Sequence, residues 1–241
     1  MIFKEHCFAN KLFLVTGASS GMGAHISKTL ISLGAKVLGI GRSQEKLQQI
    51  QNSCINPQSF IVLPKDISQN EGLDKWVLEL AKQYGSIDGA VLSIESAKHL
   101  FETNYFGNLQ VIKGLIDRRA KTPRGGSFVV LSSNSSIRAQ KGLTNYSATK
   151  GALNTAIKSI ALEIAPFFYR INAISPGFVM TEMIEEWSKI YDEEYIQNIK
   201  KEYPLGIGNV EQITPLVCFL LSKDSSWITG QNIVIDGGAS L

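Results

Sequence analysis

Seven short runs of β-branched and apolar residues, separated by stretches of helical periodicity, constrain this chain more than any other feature. They are Leu12–Thr16, Ala35–Ile40, Ser59–Leu63, Ile87–Leu92, Ser127–Leu131, Arg170–Ser175 and Gln231–Ile235. Most are continuously apolar rather than alternating, which is the pattern of strands covered on both faces. Strands that alternate with helices connect in parallel, because a parallel pair needs a crossover. The predicted fold class is therefore α/β: a doubly wound sheet of seven mainly parallel strands with helices on both faces.

The intervening segments carry their own punctuation. Met22–Leu33 places Ile26, Leu30 and Leu33 at helical spacing, and Gly34 supplies a stop. Ser43 can cap a helix running to about Ile50. Ser68-Gln69-Asn70-Glu71 matches a capping box and predicts a helix through Trp76, Val77 and Leu80. Thr144–Ala165 reads as one long helix ended by Pro166, and Pro215–Leu221 as a buried final helix. With 241 residues, 44% hydrophobic, and no internal repeat or linker, one domain over 1–241 is expected.

Charge and cysteine usage exclude several partner classes. The net charge of +3 is small, and the densest basic run, Arg118, Arg119, Lys121 and Arg124, lacks interleaved aromatics. A solvated helix end is expected there, not a nucleic-acid site. Cys7, Cys54 and Cys218 are odd in number and outside any C-x-x-C, which fits a reducing, cytoplasmic address. No apolar run reaches the length of a membrane span, so no membrane partner is expected. No metal site is predicted either.

Thr16-Gly17-Ala18-Ser19-Ser20-Gly21-Met22-Gly23 lies between the first strand and the first helix. Gly17, Gly21 and Gly23 permit a tight turn and let a pyrophosphate lie against backbone at a helix N-terminus. The spacing is wider than the usual dinucleotide fingerprint, but its position between a strand and a helix favours a Rossmann-like dinucleotide site over a plain strand-to-helix turn. At the end of the second strand, an acid would accept a ribose 2′-hydroxyl and a cation would accept a 2′-phosphate. Gly41 stands where the acid would be; Arg42 and Ser43 follow. A planar guanidinium suits phosphate, so the sequence favours NADP over NAD, although Arg42 could also be a surface residue before a helix. Asp66, followed by Ile67, could serve the adenine edge or simply the turn before Ser68.

Tyr146-Ser147-Ala148-Thr149-Lys150 places a phenol and an ammonium on one helical face. A nearby cation lowers a phenol's pKa, so such a phenol can trade a proton with an alcohol or carbonyl. Ser133 ends the fifth strand thirteen residues earlier, at the sheet edge where ligands bind. Ser132 is its nearest rival, and spacing from Tyr146 favours Ser133.

With these motifs in place the chain resembles the short-chain dehydrogenase/reductase family, in its NADP-dependent, 3-oxoacyl reductase-like branch. The resemblance continues through Thr103-Asn104-Tyr105-Phe106-Gly107, Ile171-Asn172-Ala173-Ile174-Ser175-Pro176-Gly177, Ile228-Thr229-Gly230-Gln231 and Asp236-Gly237-Gly238. It implies hydride transfer between NADP(H) and a carbonyl or alcohol substrate. Tyr146 would be general acid or base, and Lys150 would hold the nicotinamide ribose. Ser133 would hydrogen-bond the substrate oxygen, and Asn104 would support a proton-relaying water. Gly17, Ser19, Ser20, Gly21, Met22, Gly23, Arg42, Ser43, Asp66, Ile67, Tyr146, Lys150, Pro176, Gly177, Val179 and Thr181 would contact the cofactor.

A substrate lid at about 181–204 and a homodimer or homotetramer paired through the helices of Asn104 and Tyr146 are also implied. The partner is a small-molecule substrate. A 3-oxoacyl-thioester reductase is the narrower alternative, and an NADP-binding regulatory protein without turnover is the alternative of another class. One departure stands out. Where the family has Asn-Asn-Ala-Gly, this chain reads Leu92-Ser93-Ile94-Glu95, and Asn104 follows Leu92 by only twelve positions. A helix from about Ser96 could still carry Asn104.

Overall fold

The computed structural model describes residues 3, 4, 6–69, 71–93, 100–117, 125–181 and 193–241. Its strands are β1 (Leu12–Thr16), β2 (Lys36–Gly41), β3 (Phe60–Pro64), β4 (Gly89–Leu92), β5 (Gly126–Leu131), β6 (Tyr169–Pro176), β7 (Val179–Met180), β8 (Gly208–Asn209) and β9 (Asn232–Ile235). Seven of them form one parallel sheet in the order β3-β2-β1-β4-β5-β6-β9. The short β7 and β8 pair separately. The chain winds outward from β1 in one direction and from β4 in the other. A crevice therefore opens between their C-terminal ends, where doubly wound sheets bind ligands.

The helices are α1 (Gly21–Ser32), α2 (Gln44–Ser53), α3 (Leu73–Tyr84), α4 (Asn108–Leu115), α5 (Thr144–Ile164), α6 (Glu193–Lys201) and α7 (Val210–Leu221). Two apolar layers explain why the strands read as continuous hydrophobic runs. Leu14, Leu38, Phe128 and Val130 face α3, α4 and α5 through Val77, Val111 and Leu153. Their neighbours Phe13, Val15, Val37 and Val129 face α1, α2 and α7 through Ile26, Leu47 and Val217. Successive strand residues point to opposite faces, so a sheet covered twice needs apolar residues at both parities. Each fully buried side chain of this size contributes about 1.5–3 kcal/mol.

Local chemistry moved several boundaries. α3 opens at Leu73 behind Gly72, which adopts a left-handed conformation (φ 71°) and makes no side-chain cap. The expected Ser68 cap does not form: its hydroxyl and backbone N–H donate to Asp66 Oδ1 at 2.8 and 3.0 Å. A carboxylate two residues upstream makes the local turn a better partner than a helix end. α7 begins at Val210, five residues before Pro215, through a capping box between Asn209 and Gln212. Ser43 does cap α2, accepting from the Lys46 N–H at 3.2 Å.

Asn104 lies in a π-helical turn, Glu102–Gly107, that runs directly into α4. The helix expected from Ser96 is seen from Leu100 onward; residues 94–99, and with them most of the shortened connection, lie outside the described residues. So do residues 182–192 of the expected lid and the basic residues Arg118, Arg119, Lys121 and Arg124. Among the described residues, no helix is long and apolar enough to cross a membrane, and no His/Cys/Asp/Glu group could hold a metal ion.

Candidate active site

The turn between β1 and α1 is built around glycine. Gly17 has φ 65°, and a Cβ there would lie 1.8 Å from the Ser93 carbonyl oxygen. A Cβ on Gly23 would lie 2.3 Å from the Gly17 carbonyl oxygen. Thr16 Oγ1 accepts from the Ser93 N–H at 3.0 Å, which ties the end of β4 to the turn. Ser20 precedes α1 but makes no side-chain cap, and the first turn of α1 carries no acid. The positive end of the helix dipole is thus left for a ligand anion.

One cleft runs along these strand ends. Gly17, Ser19, Ser20, Gly21 and Met22 form its floor beside α1, while Gly41, Arg42, Lys65, Asp66, Ile67 and Ser68 form one end. Ser93, Thr103, Leu131, Ser132, Lys150 and Thr181 form the other. A Cβ at position 41 would lie 3.0 Å from Ser19 Oγ, so any side chain there would require that hydroxyl to give way. Thr103 Oγ1 is buried at the cleft and has no hydrogen-bond partner among the described residues, as a group awaiting a polar ligand would be. The glycine cradle, the uncapped helix end and this orphaned hydroxyl together fit a dinucleotide.

At the other end of the cleft, Lys150 is 1% exposed, yet its Nζ donates to the Leu131 carbonyl at 3.1 Å. It also stands 5.6 Å from the centroid of the Tyr146 ring, one turn away on α5. A buried ammonium needs such partners to remain charged. Ser133 accepts from the Ser135 N–H at 3.2 Å, and its hydroxyl lies 3.2 Å from Ser135 Oγ. Ser135 in turn donates to Gln140 Oε1 at 3.1 Å.

Asn104 is fully buried and donates from Nδ2 to Thr149 Oγ1 at 3.3 Å; Thr149 donates to the Tyr146 carbonyl at 2.7 Å. Asn108 Nδ2 donates to the Asn104 carbonyl at 2.6 Å. The π turn is thereby fastened to the first turns of α5.

Of the residues singled out in the sequence, Gly17, Ser19, Ser20, Gly21, Met22, Arg42, Asp66, Ile67, Lys150 and Thr181 line the cleft. Gly23 packs behind the turn, and Ser43 caps α2. Ser133, Tyr146, Asn104, Pro176, Gly177 and Val179 are outside the lining. Of these, Gly177 is fixed by a bond from its N–H to the Ile235 carbonyl at 3.1 Å. The next N–H, of Phe178, donates to Tyr203 Oη at 3.0 Å.

Lys65, Ser68, Ser93 and Thr103 line the cleft without having been singled out for it. Lys65 and Ser93 each directly follow a strand end, which was the available signal.

Asp236 closes the back of the site by accepting from Asn134 Nδ2 at 3.3 Å. Burial raises the Asp236 pKa, but hydrogen bonds from Ser240, Asn134 and the Gly238 N–H outweigh it and hold the carboxyl below its ordinary range. The stabilisation of the serine loop from this carboxylate is complete above the ordinary Asp range. It is lost as pH falls through the lowered value.

A sequence profile described as enoyl-(acyl carrier protein) reductase matches residues 17–240. An NAD-dependent glycerol dehydrogenase of Listeria innocua is 30% identical, with 99% of this chain and 97% of that protein covered. L-xylulose reductase of Bos taurus is 32% identical over 95% of this chain and 96% of its own. Among solved structures, a short-chain type dehydrogenase/reductase from Mycobacterium ulcerans superposes with a TM-score of 0.85 at 26% identity. That superposition covers 97% of this chain and 90% of that one. With its glycine cradle, its buried lysine beside a tyrosine, and relatives matched along nearly its whole length, the chain belongs to the short-chain dehydrogenase/reductase family of oxidoreductases.

Proposed function

We propose that the protein interconverts a small or medium-sized carbonyl compound and its alcohol with NADP(H), using Tyr146 as the acid/base. The observation that carries this is the buried Lys150 ammonium, fixed to the Leu131 carbonyl and set against the Tyr146 ring at the switch-point cleft. The nicotinamide, when bound, supplies or takes up the hydride.

The chain does the rest. The Gly17–Met22 turn and the α1 N-terminus would hold the pyrophosphate, Arg42 the 2′-phosphate, and Asp66 the adenine edge. In reduction, the Tyr146 hydroxyl passes its proton to the substrate oxygen, and the neighbouring Lys150 charge stabilises the phenolate left behind. Ser133 turns its hydroxyl from Ser135 toward that oxygen. Asn104 and Thr149 act on geometry, holding the turn of α5 that carries the tyrosine.

Gly41 in the place of an acid, followed by Arg42 on the cleft, supports NADP. Arg42→Ala should raise KM for NADPH by about tenfold or more and change KM for NADH by less than about twofold. Equal losses for the two cofactors would contradict the assignment.

NADPH oxidation against ketoses, aldehydes, diketones and acetoacetyl thioesters tests the reaction itself. Turnover of ketoses or simple carbonyls supports it, and the bovine relative's name makes ketoses a natural first choice. Turnover restricted to thioesters would favour the narrower 3-oxoacyl activity. Tight NADPH binding with no turnover on any compound would instead mark a regulatory protein.

We also propose that a second copy of the chain pairs across the α4 and α5 side. Phe101 and Phe106 beside α4, and Leu162 and Phe168 at the end of α5, are exposed apolar residues that such pairing would cover. Light scattering should give a dimer or tetramer mass; a monomer at micromolar concentration rejects the pairing.

A further inference from the structure

We propose that Lys65 is a second cation for the 2′-phosphate and a determinant of cofactor choice, an inference that rests on the NADP reading above. It follows from strand register. β2 and β3 are parallel, with Gly41 opposite Pro64, and the Lys65 N–H donates to the Gly41 carbonyl at 2.9 Å. The residues that leave the two strands next are therefore Arg42 and Lys65, on chains about 4.8 Å apart. Both line the same end of the cleft.

The Lys65 ammonium sits 5.7 Å from the centroid of the Trp76 ring on α3. An aromatic face attracts a cation but carries no net charge, so it positions the ammonium without neutralising it. Asp66 directly follows Lys65 and also lines the cleft, where its Oδ1 accepts from the Ser68 N–H and hydroxyl. A dianionic group bound at this end of the cleft would draw on both positive charges at once. A ribose 2′-hydroxyl offers no such charge. The pair thus discriminates by charge, with Arg42 giving the planar fork and Lys65 the point charge.

Calorimetric titration of the cofactor-free protein with adenosine 2′,5′-bisphosphate and with 5′-AMP, which differ only in the 2′-phosphate, separates this proposal from the reading beneath it. Wild type should bind the 2′-phosphorylated ligand at least about tenfold more tightly. Lys65→Gln should lose about tenfold for the bisphosphate and less than about twofold for 5′-AMP. Lys65→Arg should restore most of the loss, and Trp76→Leu should give a smaller, equally selective loss.

Two results would overturn the inference alone: Lys65→Gln binding both ligands as wild type does, or losing both equally, while Arg42→Ala remains selective. A wild type that does not distinguish the two ligands would overturn both the inference and the NADP assignment.

Discussion

Tyr146→Phe is expected to lower kcat by about a thousandfold or more while leaving NADPH affinity within about twofold of wild type. The substitution removes one hydroxyl and leaves the ring, so the face that stands 5.6 Å from Lys150 Nζ is preserved. The lysine keeps its bond to the Leu131 carbonyl, and the packing around α5 does not change. What disappears is the proton that must reach the substrate oxygen as hydride arrives at carbon. Without it the product would be a bare alkoxide, for which neutral water is a poor donor. Positioned acid–base groups are worth about 10²–10⁴ in rate, which sets the size of the effect. Saturating-substrate kinetics together with a cofactor titration check it. Residual activity above about a tenth of wild type would place the proton elsewhere; a parallel collapse of cofactor binding would mean the ring, not the hydroxyl, matters.

The parts of this site that depend on local sequence were legible, and those that depend on register were not. Leu14 and Val15 are both apolar because one faces α3–α5 and the other faces α1–α2, so the run itself announces a sheet covered twice. Gly17 and Gly23 are recognisable because the turn they make is closed by atoms only a few residues away, apart from Ser93. Tyr146 and Lys150 need only the pitch of one helix.

Lys65, by contrast, acquires its meaning from Gly41 and Pro64 being opposite each other on two strands, a pairing that composition cannot report. Asn104 was marked by the resemblance, but its bond to Thr149, 45 residues away, was hidden in the same way. Ser68 failed as a cap for a different reason. The motif was present, but Asp66 offered both its hydroxyl and its N–H a closer acceptor. The start of α7 was readable in Asn209 and Gln212. The expected range begins at Pro215 because the apolar run begins there, although the helix carries that proline in its interior.

Arg170→Leu should produce the largest loss of stability among these predictions, about 3–5 kcal/mol, with Tm falling by roughly 10 °C. Arg170 is on β6, and its guanidinium donates from Nη2 to the carbonyls of Leu220 at 2.9 Å and Ser222 at 3.0 Å. Its Nη1 donates to the Ile228 carbonyl at 3.0 Å. Leu220 belongs to the last turn of α7, where helix carbonyls have no partner within the helix. Burial draws the Arg170 pKa below the ordinary guanidinium value, yet a guanidinium stays charged throughout the neutral range.

Leucine would remove three charge-assisted bonds at once, although each carbonyl keeps another donor: Leu220 from Ser127 and Ser225, Ser222 from Ser225, and Ile228 from Asn172. Lysine would keep the charge but not the fork, so Arg170→Lys should fall between the two. Thermal unfolding followed by circular dichroism reads the difference, and a Tm within about 2 °C of wild type for the leucine variant would refute the assignment. The damage should extend to catalysis. Asn172, two residues along β6, fastens the same Ile228 carbonyl and the Gln231 N–H, and β9 follows directly. β9 delivers Asp236 to Asn134, the residue after Ser133, so a loosened α7–β9 connection reaches the hydroxyl that must meet the substrate oxygen.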